Sequence, residues 1–132
     1  MTSMFKKPGI VMVPGAWHPA SCFDLTASSL QSHGYETIQV TTPTVGSTQP
    51  FSADVEAIHD AIKAASDAGD VLLFMHSYGG VPGCCAVEGL RKQDLQDGGV
   101  TALVFCTTWA LDVGESILSN PHCLPKQGAH SE

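Results

Sequence analysis

The chain has 132 residues, a length that suits one domain with a core of useful size. Apolar residues make up 43% of the sequence and charged residues only 14%, which argues against a disordered protein. The net charge is -7, and basic residues adjoin only at Lys6-Lys7 and Arg91-Lys92. We therefore expect neither nucleic acid nor an anionic membrane as a partner.

The sequence shows neither a membrane segment nor a cysteine framework. Its apolar runs fall well short of the roughly 20 residues that cross a bilayer. The apolar stretch after Lys7 is too short for a signal peptide and is interrupted by Pro14. Five cysteines without a C-x-x-C pair favour a reducing, cytoplasmic location, and no cluster has metal-ligand spacing, so we expect no metal or other cofactor.

Two strands and two helices are predicted in the first half of the chain. Residues 10–13 form a short apolar run that ends at a Pro-Gly pair, which indicates a buried strand. Residues 19–33 have apolar side chains at helical spacing, and residues 35–41 are rich in β-branched side chains, which favours a helix and then a strand. A second helix is predicted over residues 52–69, with Ser52 as its cap.

The second half predicts a strand over residues 71–75, a helix over residues 81–90 and a strand over residues 100–106. The strands are apolar without alternation, so we expect both of their faces to be covered. This order predicts an α/β fold, with a three-layer parallel sheet of about four strands and helices on both faces. Residues 1–116 form the predicted domain, and residues 117–132 are expected to be an irregular, flexible tail.

One serine stands directly after the third predicted strand, in the stretch VLLFMHSYGG. In parallel α/β sheets, ligands bind beyond the carboxyl ends of the strands, and Ser77 lies at such an end. A tight turn there would lift the hydroxyl group out of the backbone, and the helix behind it would offer N–H groups to a developing negative charge. Ser77 is therefore a candidate nucleophile, with a structural turn serine as the alternative.

Two motifs in these loops resemble the α/β-hydrolase family, in its esterase and hydroxynitrile-lyase branch. The segment around Ser77 is similar to the G-x-S-x-G nucleophile elbow, and VPGAWH looks like the HGxWH-type loop of that branch. The resemblance covers residues 9–116 and implies a partial α/β-hydrolase fold. It implies that Ser77 is the nucleophile and that the N–H groups of Ala16 and Tyr78 form the oxyanion hole. The implied substrate is a small carboxylic ester or a related acyl compound.

The sequence departs from the family pattern inside both motifs. Met75 stands where the elbow motif has its first glycine, so the turn must accommodate a long side chain. Pro14 replaces the usual histidine before Gly15. Neither change removes a reacting group, because the implied oxyanion hole uses backbone N–H groups.

The acid and the histidine of a catalytic triad have no assigned position in this sequence. In the family they follow the serine along the chain, so the sequence resembles only the N-terminal half of the fold. His122 and His130 follow Ser77 but lie in the predicted tail, and Asp112 is the acid nearest to the strand ends.

Several side chains near the predicted site keep two interpretations. His18 either contacts substrate or braces its loop. Trp17 and Trp109 either line an apolar substrate pocket or belong to the core. His76 is expected to make a hydrogen bond within the core rather than to act as the base.

Charged and sulfur-containing side chains on two predicted helices have simpler interpretations. Asp54, Glu56 and Asp60 are predicted to form a solvated helix face. Cys84 and Cys85, on the helix after Ser77, are predicted to be small core residues.

A second hypothesis competes with a self-sufficient hydrolase. The chain would then be a truncated, catalytically incomplete fragment or pseudoenzyme that acts as a binding or interaction module. Its fourth strand would have an unpaired apolar edge, which invites pairing with another chain, so we would then expect a homodimer or aggregation. The two hypotheses differ in whether Ser77 reacts.

Overall fold

The computed structural model describes residues 6–119, in which four strands and three helices alternate along the chain. The strands are β1 (Gly9–Val13), β2 (Thr37–Gln39), β3 (Asp70–His76) and β4 (Gly99–Cys106), and the helices are α1 (Asp24–Ser32), α2 (Phe51–Ser66) and α3 (Gly80–Ala86). These strands form one parallel sheet in the order β2-β1-β3-β4. The predicted α/β fold with a four-stranded parallel sheet is confirmed.

Hydrophobic layers cover both faces of the sheet at β1 and β3, as predicted, whereas residues 101–105 of β4 are exposed, contrary to the expectation that its faces are covered. On one face, Val11 packs in a cluster with Ile58 and Ile62 of α2, and all three side chains are fully buried. On the other face, Phe23 meets the ring of Phe74 edge-on, with 5.8 Å between the ring centroids. Full burial of such a side chain contributes about 1.5–3 kcal/mol, so these two layers hold the three-layer arrangement together.

The predicted second strand and third helix are shorter in the structure. The strand predicted over residues 35–41 is reduced to β2, which lies at one edge of the sheet and, among the described residues, pairs only with β1. The helix predicted over residues 81–90 ends with α3 at residue 86. The chain leaves it through a turn in which the Leu90 N–H donates to Val87 at 2.9 Å, and Gly89 adopts a φ of +73°. A left-handed glycine of this kind ends a helix.

The predicted cap at Ser52 is wrong. Helix α2 begins one residue earlier, after Pro50, and no side chain caps its first N–H groups. Pro50 is extended, with φ -73° and ψ 160°. Proline fixes φ near this value, so the ring itself sets the angle at which the chain enters the helix.

The predicted tail is described only in its first three residues. Ile117–Ser119 forms a 3-10 turn, and residues 120–132 lie outside the described part of the chain. The boundary after residue 116 stays a prediction. No helix among residues 6–119 has the length and apolar character that crossing a membrane requires.

Strand β4 is a largely open edge of the sheet. A bridge between Val100 and Arg91 covers its beginning, and beyond that point it pairs only with β3 within residues 6–119. Leu103, Val104 and Phe105 are 41%, 36% and 41% exposed. The strand has no charged residue, so the edge lacks the charges that usually prevent strands from pairing between molecules.

Met75 fills space that a glycine leaves open on the neighbouring helix. Its side chain is fully buried at the end of β3 and lies against Gly83 of α3. A Cβ atom on Gly83 would lie 2.6 Å from the Met75 sulfur and 2.9 Å from its Cγ. The long side chain at this motif position is therefore accommodated because α3 has no side chain opposite it.

This packing predicts that substitutions at Met75 and Gly83 have strongly non-additive effects on the free energy of unfolding. We expect Gly83→Ala to lower the free energy of unfolding by about 1–3 kcal/mol, because the added methyl group overlaps Met75. In a Met75→Ala background the methyl group would enter vacated space, so the same change should cost far less or stabilise the protein. Urea denaturation of the wild type, both single variants and the double variant measures the coupling. Equal effects of Gly83→Ala in both backgrounds would contradict the contact.

Candidate functional site

Three loops meet at the carboxyl ends of β1, β3 and β4, which are adjacent in the sheet. A Cβ atom on Gly15, after β1, would lie 3.1 Å from the Cβ of Ser77, after β3. A Cβ atom on Gly80 would collide with the hydroxyl group of Thr108, after β4. Glycines at these positions let the three loops approach each other, so the three predicted segments lie together at this edge of the sheet.

Ser77 adopts a backbone conformation that is unusual for a residue with a side chain. Its φ is +50°, and it begins a 3-10 turn (Ser77–Gly79) that leads directly into α3. Such a left-handed conformation costs about 1–2 kcal/mol for a residue other than glycine, and it persists where the surroundings enforce it. Within residues 6–119 its hydroxyl group makes no hydrogen bond with any histidine or other side chain.

The peptide group between Ser77 and Tyr78 is held by its carbonyl oxygen. The hydroxyl group of Thr108 and the N–H of Gly80 both donate to the Ser77 oxygen. In a trans peptide the N–H points opposite to the C=O, so the Tyr78 N–H is directed away from Thr108. Thr108 follows β4, on one side of β3, and the loop after β1 lies on the opposite side of β3.

The peptide group between Gly15 and Ala16 is held in the same way. The His18 N–H donates to the Gly15 oxygen at 3.3 Å, and the His18 Nδ1 forms a hydrogen bond with the Ala16 oxygen at 2.8 Å. The Ala16 N–H has no acceptor among residues 6–119. His18 thus braces its loop, which is one of its two interpretations, and contact with a substrate stays a prediction.

The two tryptophans whose roles the sequence left open differ in their exposure to solvent. Trp17 is 88% exposed and has a φ of +63°, so it is not a core residue, and its place in a substrate pocket stays a prediction. Trp109 is half-buried, and its carbonyl oxygen lies against Gly80. His76 is half-buried and makes no hydrogen bond with its ring among the described residues, contrary to expectation. Its ring instead meets that of His18 edge-on, with 6.2 Å between centroids.

The prediction that Asp54 lies on a solvated helix face is wrong. Its side chain is completely buried and accepts three hydrogen bonds. The donors are the Thr44 N–H at 3.0 Å, the Thr44 hydroxyl at 2.6 Å and the Tyr78 hydroxyl at 2.9 Å. Glu56 and Asp60 are exposed, as predicted. Sequence reasoning missed both Asp54 and Thr44 as parts of the site.

A sequence signal for the burial of Asp54 exists in the spacing of α2. Asp54, Ile58 and Ile62 follow one another at intervals of four residues, so they share one helix face. The two isoleucines are fully buried, and Asp54 continues their row toward the carboxyl end of the sheet. The carboxyl group therefore lies at the end of an apolar stripe.

The cysteines on α3 are less buried than predicted. Cys85 is exposed and Cys84 is half-buried, so only Cys84 packs against the core. Burial raises the pKa of the Cys84 thiol, and the neighbouring Cys85 raises it further. Neither thiol is part of the three loops.

Comparison with known proteins gives one matching family and several related chains. The model of the alpha/beta hydrolase family matches residues 10–129. Alpha/beta hydrolase nvfD of Aspergillus novofumigatus is 38% identical over 117 residues, or 84% of this chain and 47% of that protein. A carbendazim hydrolyzing esterase of a Nocardioides species is 27% identical over 124 residues, or 89% and 49% of the two chains.

Solved structures share the fold of the described residues. An extracellular alpha/beta-hydrolase from a Paenibacillus species superposes with a TM-score of 0.69 at 23% identity. The match covers 84% of this chain and 45% of that chain. The chain thus spans about half the length of the relatives it matches.

The buried contact between Tyr78 and Asp54 predicts a loss of stability at alkaline pH. Burial, the hydrogen bond to Asp54 and the negative charge of Asp54 raise the pKa of Tyr78 from 10.0 to about 12, while Thr44 opposes the shift. The folded state thus favours the neutral phenol, and this stabilisation is complete below pH 10. It should be lost as the pH rises from 10 toward 12, because the unfolded chain ionises first.

Urea denaturation between neutral pH and about pH 12 measures this loss, with Tyr78→Phe as the control. The variant has no phenol to ionise, so its free energy of unfolding should fall less over the interval. A difference between the two proteins that stays constant with pH would contradict the prediction.

Proposed function

This chain belongs to the alpha/beta hydrolase family, and we propose that it carries the nucleophile and the oxyanion hole of a serine hydrolase for small carboxylic esters or related acyl substrates. The observation that carries the proposal is the left-handed turn at Ser77, between β3 and α3 and beside the loop of Gly15. The esterase among its relatives supports an ester as the substrate class.

In the proposed reaction the Ser77 oxygen attacks the carbonyl carbon of the ester. The carbonyl oxygen gains negative charge and accepts hydrogen bonds from the N–H groups of Ala16 and Tyr78. Collapse of the intermediate expels the alcohol and leaves an acyl group on Ser77, and water then releases the acid. One such N–H donor is worth about 10²–10³ in rate in other hydrolases.

The proton of Ser77 requires a base, and we propose that the base comes from outside residues 6–119. Within those residues no histidine is hydrogen-bonded to Ser77, and His18 and His76 contact each other instead. In the family the histidine follows the serine along the chain, and His122 and His130 follow Ser77 here. A second chain that supplies the histidine is the other source.

A fluorophosphonate probe and a short-chain aryl ester test the proposal directly. We expect the 132-residue chain to be labelled at one site and to turn over the ester. Both signals should vanish in Ser77→Ala and persist in Ser52→Ala, which removes an exposed hydroxyl group on α2. A wild type that is neither labelled nor active would contradict a self-sufficient hydrolase.

The open edge of β4 favours a second candidate function, a binding module that pairs with another copy of the same chain. Apart from Thr101, the exposed side chains of the strand are apolar, and the strand carries no charge, so two copies can approach there although each chain carries a net charge of -7. Antiparallel pairing of two β4 edges about a two-fold axis would satisfy the free backbone groups of both strands.

Light scattering tests the homodimer through the mass of the particle in solution. We expect the wild type to have twice the monomer mass of 13.8 kDa. Val104→Lys places a charge on the edge and should return the protein to a monomer. Leu25→Lys is the matched control, because Leu25 is 88% exposed on α1, and this variant should remain a dimer. A monomeric wild type at all accessible concentrations would exclude the pairing.

A further inference from the structure

We propose that Asp54 is a positioning residue for the nucleophile turn, acting through the hydroxyl group of Tyr78. The inference rests on the proposed function, in which the N–H of Tyr78 is one of the two oxyanion donors. Asp54 lies on α2 and makes no contact with the hydroxyl group of Ser77.

The burial of Asp54 is the first observation behind this proposal. It is a completely buried acidic side chain in a sequence with only 14% charged residues. Among residues 6–119 no basic side chain forms an ion pair with it. Burying a carboxylate is costly unless hydrogen bonds replace its water, and an apolar residue would continue the row of Ile58 and Ile62 without that cost.

The hydrogen-bond partners of Asp54 come from two other parts of the chain. Thr44, in the loop after β2, contacts both carboxylate oxygens and fixes the orientation of the carboxylate. The remaining contact is the Tyr78 hydroxyl, 2.9 Å from Oδ2. The ring of Tyr78 also meets Phe51 edge-on, with 6.5 Å between centroids. The Tyr78 side chain is therefore anchored at its tip and along its ring.

This anchor acts on the residue that follows the strained turn. Ser77 is left-handed, and its carbonyl oxygen is held by Thr108 on the β4 side of β3. Asp54 holds the next residue from α2. With both ends fixed, the peptide group between Ser77 and Tyr78 has little freedom to rotate, so its N–H keeps one direction. Preorganised donors of this kind stabilise a developing oxyanion without a reorganisation step.

Two variants remove the anchor while they preserve the size of the side chains. Tyr78→Phe deletes the hydroxyl group and keeps the ring, and Asp54→Asn replaces one acceptor oxygen by a donor. Ser66→Ala is the matched control. Ser66 is also buried on α2 and donates to Ile62 at 2.8 Å, but it lies at the opposite end of the helix.

Amide hydrogen exchange gives the first measurement and needs no catalysis. The Gly80 N–H donates to the Ser77 oxygen, so its protection reports on the turn. In Tyr78→Phe and in Asp54→Asn we expect its exchange to accelerate about tenfold more than that of the β1 amides. In Ser66→Ala, any change in the exchange rate should be the same for the Gly80 amide as for the β1 amides.

The rate of labelling by the fluorophosphonate gives the second measurement. We expect each variant to react about tenfold more slowly than the wild type, with the KM for the aryl ester changed less than twofold. The double variant should be no slower than the slower single variant, because both changes break the same bond. Ser66→Ala should react at the wild-type rate.

The two measurements separate failure of this proposal from failure of the proposed function. If the wild type is not labelled, the proposed function fails, and the exchange at Gly80 alone decides whether Asp54 positions the turn. If the wild type is labelled but the variants exchange and react like Ser66→Ala, Asp54 has only a structural role and the proposal is overturned. Additive losses in the double variant would overturn it as well.

Discussion

The orientation of the peptide group between Ser77 and Tyr78 is the constraint on which the rest of this site depends. Ser77 has a left-handed backbone, which costs about 1–2 kcal/mol and therefore needs support from its surroundings. Thr108 holds the carbonyl oxygen from the β4 side, and Asp54 holds the Tyr78 side chain from α2. The strained turn is thus stabilised by elements that lie far apart in the sequence.

Space for this turn is created by the near absence of side chains on one side of α3. A Cβ atom on Gly79 would lie 2.7 Å from the Pro14 oxygen, and one on Gly83 would overlap Met75. The helix can therefore approach the ends of β1 and β3 closely. Met75 and Pro14, the two departures from the family motifs, both lie against glycines of this segment. Met75 is tolerated because Gly83 leaves room for its side chain, whereas the contact of Gly79 is with the backbone oxygen of Pro14 and does not depend on the proline ring.

Sequence patterns predicted the sheet and the turn because both are encoded locally. Apolar runs without alternation indicated buried parallel strands, and a serine followed by glycines after such a run indicated the turn, whose chemical role stays a prediction. Asp54 was misjudged because its burial depends on Thr44 and Tyr78, which are distant in the sequence. The four-residue spacing between Asp54 and Ile58 was a local signal of burial. It was missed because an acidic side chain is usually exposed to solvent. The exposure of Trp17 depends on the shape of its loop, which composition does not encode.

The two N–H groups assigned to the oxyanion are oriented by contacts that all lie before residue 110. His18 holds the carbonyl oxygen of one donor peptide, and Thr108 holds that of the other. In the proposed function, affinity for a tetrahedral, negatively charged species comes from this segment and does not depend on a proton-transfer group. Under that proposal, recognition of the transition state and proton transfer depend on different parts of the protein, so a substitution can change one without the other.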